Sequence, residues 1–183
     1  MENMMQGDIL EVLLSEEEIG ARVKELGEAI TADYEGKDVI FVGVLKGCFV
    51  FMADLLRNVG LKCDMDFMAV SSYGSGTSTT GAVKINMDLG KNIEGKHLII
   101  VEDILDSGVT LSYLKAYLNN RKPASIRIVT LLDKPERRKS DIVADYYGFT
   151  VPDAFVVGYG LDYAEQYRNL PYIGILKPEV YSN

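Results

Sequence analysis

The stretch Leu98-Ile99-Ile100-Val101-Glu102-Asp103-Ile104-Leu105-Asp106-Ser107-Gly108-Val109-Thr110-Leu111 constrains this chain more than any other. An apolar run ends on two adjacent acids. A third acid, Asp106, opens a turn of small and hydroxyl residues, and a helix-like segment follows from Leu111 to Leu118. In a parallel sheet, strand ends of this kind face the ligand crevice. The turn from Ser107 to Thr110 offers backbone N–H groups and hydroxyls at a helix start, which suits a phosphate. Glu102 and Asp103 suit sugar hydroxyls or a hard cation. Together they describe a site for a phosphorylated sugar. A plain helix cap would account for Asp106 or Ser107. It needs only one of them, and it leaves Glu102 and Asp103 beside an apolar strand, where unpaired carboxylates are costly.

The rest of the chain places this turn in a larger pattern. Val39-Ile40-Phe41-Val42-Gly43-Val44-Leu45 is a continuous apolar run typical of a strand buried on both faces. Ser15-Glu16-Glu17-Glu18 fits a capping box, and Ile19, Val23, Leu26 and Ile30 follow at helical spacing, so residues 15–33 read as an amphipathic helix. Cys48 to Asn58 reads as a second helix. Leu61, Cys63, Met65, Phe67 and Ala69 alternate with polar residues and predict a strand, and Lys84 to Asp88 predict its resumption. Further strands are expected at Leu98–Val101, Ser125–Leu132, Ala154–Gly158 and Ile173–Leu176. Alternation of this kind predicts a mainly parallel central sheet flanked by helices. There is no internal repeat and no linker, so 1–183 is expected to be one domain. Its core would span 36–150, and segments 1–35 and 151–183 would form a small hood over the sheet's carboxyl edge.

Composition removes several classes. A net charge of −8 argues against a nucleic-acid surface. No apolar run approaches the ~20 residues of a membrane span, and no secretory signal is visible at the first residues. Cys48 and Cys63 are the only cysteines, expected as reduced thiols in a cytoplasmic protein. His97 is the only histidine, which removes a His-based triad or a multi-His metal cluster. No Walker-type Gly-Lys motif is present, and Gly158-Tyr159-Gly160 lacks the rest of a dinucleotide fingerprint.

The segment from Val101 to Leu111 closely resembles the phosphoribosyl-diphosphate loop of the type I phosphoribosyltransferase family. Within that family it is most similar to the hypoxanthine-guanine branch, and the likeness runs from about Asp8 to Tyr181. The resemblance implies a purine-salvage transferase that joins ribose 5-phosphate from phosphoribosyl diphosphate to a 6-oxopurine. Asp106 would accept the purine's imidazole proton. Glu102 and Asp103 would hold the ribose hydroxyls, with or without a metal ion. Ser107, Gly108, Val109 and Thr110 would hold the 5-phosphate. Lys46-Gly47, implied to be a non-proline cis dipeptide, and Arg168 would face the diphosphate, and Asp162 would bind magnesium. Lys134 would donate to the exocyclic oxygen of the base, Phe155 would stack on its face, and the Val156 backbone would meet its edge. Ser72-Tyr73 would lead a closing loop over 71–81, a Gly- and Ser/Thr-rich stretch expected to be mobile. Relatives are commonly homodimers or homotetramers.

Read without the family, these pieces are weaker. Lys46-Gly47 is a turn, residues 71–81 a floppy loop, Lys134 a snorkelling surface lysine. Phe155 and Val157 are core candidates, and Asp162 with Arg168 a surface pair. Departures from the family's wording are Val109 in place of lysine, Cys48 in place of glycine and Ala154 in place of a larger residue; none removes a catalytic group. Two competing functions are a non-enzymatic sensor of phosphoribosyl diphosphate, which a basic patch would favour, and a sister transferase for another base. The acidic balance opposes the first. The surplus of acid is compatible with anionic substrates if magnesium joins carboxylates to phosphate oxygens.

Overall fold

The computed structural model describes the backbone of residues 4–72 and 83–182. Tyr73 and the rest of the expected lid up to Gly81 lie outside the described residues, as do its implied movements. In chain order the elements are β1 (Ile9–Leu14), α1 (Glu16–Asp33), β2 (Val39–Leu45), α2 (Phe49–Arg57), β3 (Asp64–Ser72) and β4 (Val83–Met87). They continue with β5 (His97–Leu105), α3 (Val109–Asn119), β6 (Ser125–Asp133), β7 (Tyr146–Thr150), β8 (Val156–Val157), β9 (Ile173–Leu176) and α4 (Pro178–Tyr181).

Six strands form one sheet in the order β4-β3-β2-β5-β6-β7. All its pairings are parallel except β3 with β4, which runs antiparallel at one edge. The central strands read as apolar runs because helices cover both faces. Val39, Phe41, Ile99, Val101, Val129 and Leu131 pack on one face with α1 and α2, and Ile40, Val42, Leu98, Ile100 and Ile128 pack on the other with α3. Each of these fully buried side chains contributes about 1.5–3 kcal/mol. Strand β5 is longer than the apolar run predicts. It stays in register with β6 through Glu102↔Thr130 and Leu105↔Asp133, so the two acids lie within the ladder rather than after it.

Helix α1 starts where its sequence says. Glu18 reaches back to the Ser15 backbone N–H at 2.8 Å, and the Ser15 hydroxyl accepts from Glu18 N. Its stripe Ile19, Val23, Leu26 and Ile30 is buried against α2 and the central sheet. The expected hood over 1–35 therefore divides. Residues of α1 pack in the core, and the N-terminal contribution beside β9 comes from β1 and the residues just before it, where Asp8 Oδ2 accepts from the Tyr167 hydroxyl and Asp8 O from Lys177 N. Strand β1 pairs antiparallel with β9, which pairs with β8, giving a second, three-stranded sheet. Strand β8 is shorter than the expected Ala154–Gly158, because Gly158 turns at φ +102 and leaves the ladder.

Parallel order puts the carboxyl ends of β2, β5 and β6 on one edge of the sheet. Leu45, Leu105 and Asp133 therefore emerge side by side, beneath the segment that follows β8. His97 sits at the opposite end of β5, its ring 2.8 Å from the Ser125 hydroxyl. It is structural. Cys48 is buried and Cys63 half-buried, both unpaired.

Candidate active site

Glu102 and Asp103 keep some exposure at the cleft yet sit deep in the protein. Burial pushes the Glu102 carboxyl well above the usual carboxylate range, helped by the neighbouring Asp103 charge. Burial likewise pushes Asp103 up to about 6, although the Ile104 N–H donates to its Oδ1 at 2.8 Å. Two carboxyls held this way lack a partner that a sugar diol or a cation would supply.

Next along the chain, α3 begins at Val109, and its N-cap is Gly108 at φ +76, with no side-chain cap. Neither Asp106 nor Ser107 is the N-cap, although the Ser107 hydroxyl accepts from Val109 N at 3.4 Å. A Cβ on Gly108 would lie 2.4 Å from Ile142 Cγ2 and 2.5 Å from Ser140 Oγ, so the turn needs glycine for both conformation and space. A small cavity of about 200 Å³ lies over this turn, bounded by Glu102, Asp103, Asp106, Ser107, Gly108 and Thr110.

A larger cavity of about 500 Å³ adjoins it and shares Asp103, Ile104 and Asp106. Lys134, at the end of β6, lines it and is only 5 % exposed. Its Nζ donates to Ala154 O at 2.8 Å and stands 3.8 Å from Asp153 Oδ1. The surface-lysine reading therefore fails. Phe155 is 39 % exposed, not core, and its ring faces the same cavity beside the buried Val156. Tyr181 of α4 stacks on Phe155 at 4.8 Å between centroids and 21° between planes.

The third part of the site is the loop from Gly160 to Arg168. Arg168 Nη2 pairs with Asp162 Oδ1 at 2.8 Å, and its Nη1 donates to Gly160 O at 2.7 Å. Arg168 Nε is buried with no partner. This pair is half-buried rather than a surface pair. Lys46 Nζ lies 2.9 Å from Glu165 Oε2. The cis peptide is Leu45–Lys46, one bond earlier than the implied Lys46-Gly47. Close approach explains two glycines. A Cβ on Gly47 would fall 1.7 Å from Asp103 Oδ2, and one on Gly160 (φ +104) would fall 2.3 Å from Gly47 O. Turn 46–47 thus packs against the Asp103 carboxylate of β5 and, at Gly47 O, against the hood-loop backbone at Gly160. Ser72 ends β3, where its backbone pairs with Val83.

A family model described as the phosphoribosyl transferase domain matches residues 10–164. The chain belongs to the phosphoribosyltransferase family. It is 59% identical over 180 residues to a hypoxanthine-guanine phosphoribosyltransferase of Bacillus subtilis (strain 168), covering 98% of this chain and 100% of that protein. A crystal structure of a hypoxanthine phosphoribosyltransferase from Staphylococcus aureus superposes with a TM-score of 0.97 at 56% identity, over 100% of both chains. A hypoxanthine-guanine phosphoribosyltransferase of Bacillus anthracis, solved with a HEPES molecule in its active site, gives 0.89 at 51% identity over 92% of this chain and 99% of that one. The central sheet with flanking helices is the type I phosphoribosyltransferase fold.

Within this phosphoribosyltransferase, sequence reasoning missed four residues. Arg137 Nε lies 3.2 Å from Asp106 Oδ1, an ion pair without hydrogen-bond direction, since that buried oxygen has no hydrogen-bond partner. Arg138 Nη1 donates to the Asp106 carbonyl at 3.1 Å and its other nitrogen pairs with Asp133. Tyr181 covers Phe155, and Glu165 links Lys46 with Arg168. The adjacent arginines after Lys134-Pro135 were a readable signal, because they follow a strand end on the ligand edge.

Proposed function

We propose that this phosphoribosyltransferase transfers ribose 5-phosphate from phosphoribosyl diphosphate to hypoxanthine and guanine, releasing pyrophosphate and a purine nucleoside monophosphate. The observation that carries this is the buried ammonium of Lys134 beside the open ring of Phe155 in one cavity. A buried cationic donor selects a base with an exocyclic oxygen, and a flat exposed ring supplies a stacking face. The Val156 backbone meets the edge of the base. Asp106, which lines both cavities, accepts the imidazole proton as the purine nitrogen attacks the sugar carbon. Glu102 and Asp103 hold the ribose hydroxyls, and Ser107, Gly108, Val109 and Thr110 hold the 5-phosphate through N–H groups and hydroxyls. Lys46, Gly47 and Arg168 meet the diphosphate, and Ser72-Tyr73 lead the loop that closes over the reacting atoms.

The chemistry is mainly positioning and electrostatics, because the sugar carbon becomes cationic as the diphosphate departs. Among the described residues no three His, Cys, Asp or Glu side chains converge on one point. Magnesium favours one or two carboxylates plus substrate oxygens and water. Asp103 and Asp162 fit that habit, since both line the larger cavity. Magnesium, when bound, would neutralise charge on the leaving diphosphate.

The same proposal includes a cytoplasmic homodimer or homotetramer. No helix among the described residues is long and apolar enough to cross a membrane. Two unpaired cysteines suit a reducing compartment, and light scattering checks the assembly. The functional test is pyrophosphate release with phosphoribosyl diphosphate, magnesium and each base in turn. Hypoxanthine and guanine are expected to turn over and adenine to fail; turnover of adenine alone would reverse the assignment.

A further inference from the structure

Glu165 sits where an anionic ligand would be expected. Its Oε2 is 2.9 Å from Lys46 Nζ, and its Oε1 is 3.5 Å from Arg168 Nη2. One carboxylate, one oxygen to each cation, thus bridges the two side chains assigned above to the diphosphate. Its backbone N–H donates to Asp162 Oδ2 at 2.9 Å, while Asp162 Oδ1 takes Arg168. The loop achieves this with Ala164 at φ +49, Glu165 at φ +63 and Tyr167 at φ +72, a left-handed conformation that non-glycine residues seldom adopt. Glu165, which sequence reasoning did not single out, thus links Lys46 with Arg168, while its backbone N–H supports Asp162, itself paired directly with Arg168.

We infer that Glu165 is a built-in competitor of the diphosphate, occupying the place of its oxygens between Lys46 and Arg168 until substrate displaces it. This rests on the assignment of Lys46 and Arg168 to the diphosphate. The chemistry is an exchange of one anion for another on the same two cations, with no bond made or broken. A diphosphate carries more charge and more acceptor oxygens than a carboxylate, so it wins the exchange. The carboxylate still opposes it in binding and helps to expel it after turnover. As product, pyrophosphate loses its covalent tie to the sugar, so the returning carboxylate promotes its release.

A supporting residue and a competitor predict opposite signs. Loss of a support weakens diphosphate binding; loss of a competitor tightens it. The Lys46–Glu165 pair is exposed, and exposed pairs are worth little, so a gain of about two- to fivefold is expected. The experiment is calorimetric titration of the intact enzyme with pyrophosphate and magnesium, comparing the parent with Glu165→Gln. A second variant, Glu165→Gly, removes the carboxylate and also suits φ +63. Both variants are expected to bind pyrophosphate more tightly and to show a lower KM for phosphoribosyl diphosphate at unchanged KM for hypoxanthine. Unchanged or weaker pyrophosphate binding in both variants would overturn the competitor role. Absence of magnesium–pyrophosphate binding in the parent would instead remove the diphosphate assignment of Lys46 and Arg168 beneath it.

Discussion

Asp103 carries a carboxyl that burial pushes to about 6, directly beside Glu102, whose carboxyl burial also pushes well above its usual range. An acid whose folded pKa is raised binds more protons folded than unfolded between about pH 4 and 6, so the folded state loses stability as pH rises through that window. Asp103→Asn keeps an acceptor for the Ile104 N–H and removes the charge. At pH 8 the ligand-free variant is expected to gain about 1–2 kcal/mol, or some 2–8 °C in Tm for a chain of this size, while losing activity. Thermal melts at pH 8 and pH 4 check this, with the gain confined to the higher pH. Asp106 is proposed to act in the chemistry itself, so its substitution reads differently. Asp106→Asn is expected to lower single-turnover rate by about 100- to 10,000-fold with base affinity largely kept. Near-normal single-turnover chemistry would take Asp106 out of proton transfer. At this scale the sequence was readable where one run held the residues, as from Glu102 to Thr110. Glu165 was not, because its meaning lies in distances to Lys46 and Arg168 that only folding creates.

The elements matter through where they end. Strands β2, β5 and β6 deliver Lys46, Asp106 and Lys134 to one edge, and the segment after β8 brings Asp162 and Arg168 down on it. The joint is the contact of Gly160 with Gly47 O. Gly160→Ala must place a methyl against a carbonyl at φ +104, and such strain costs about 1–3 kcal/mol. The expected result is a lower Tm and a raised KM for phosphoribosyl diphosphate, with KM for the base less affected. Parent-like values for both would mean that the hood loop is not set by this contact. Asp162→Asn tests the metal half of the same loop. It is expected to raise the magnesium concentration needed for half-maximal rate and to weaken pyrophosphate binding; an unchanged titration would make Asp162 structural. Long buried runs and the capped helix α1 were legible because periodicity and capping are local signals. Strand β1 was not recognised: three of its six residues are exposed, with Leu10 59 % and Val12 54 % exposed, so it shows no clear inward face. Strand β7, Tyr146–Thr150, is an edge strand with a central glycine, and its pairing with β6 supplies what its own sequence does not. The apolar stripe of α1 packs it into the central core.

Over the whole molecule, an acidic chain handles anionic substrates by keeping its few aimed cations at one edge. Lys46, Lys134, Arg137 and Arg168 all converge there, although the net charge is −8. Two cavities lie along this edge, one over the turn from Ser107 to Thr110 and one between Lys134 and Phe155, and Asp106 lines both. Base choice therefore depends on the assembled edge and not on any single run of sequence. Adenine in the larger cavity would set an amino group against the Lys134 ammonium, and an unpaired buried polar group costs about 1–3 kcal/mol, more when charged. Discrimination on the order of 100-fold follows. The measurement is the ratio of kcat/KM for hypoxanthine to that for adenine, in the parent and in Lys134→Gln. The expected result is a ratio of about 100 or more in the parent that shrinks in the variant, because an amide can donate or accept. A parent that uses adenine as well as hypoxanthine, or a ratio that Lys134→Gln leaves unmoved, would contradict it.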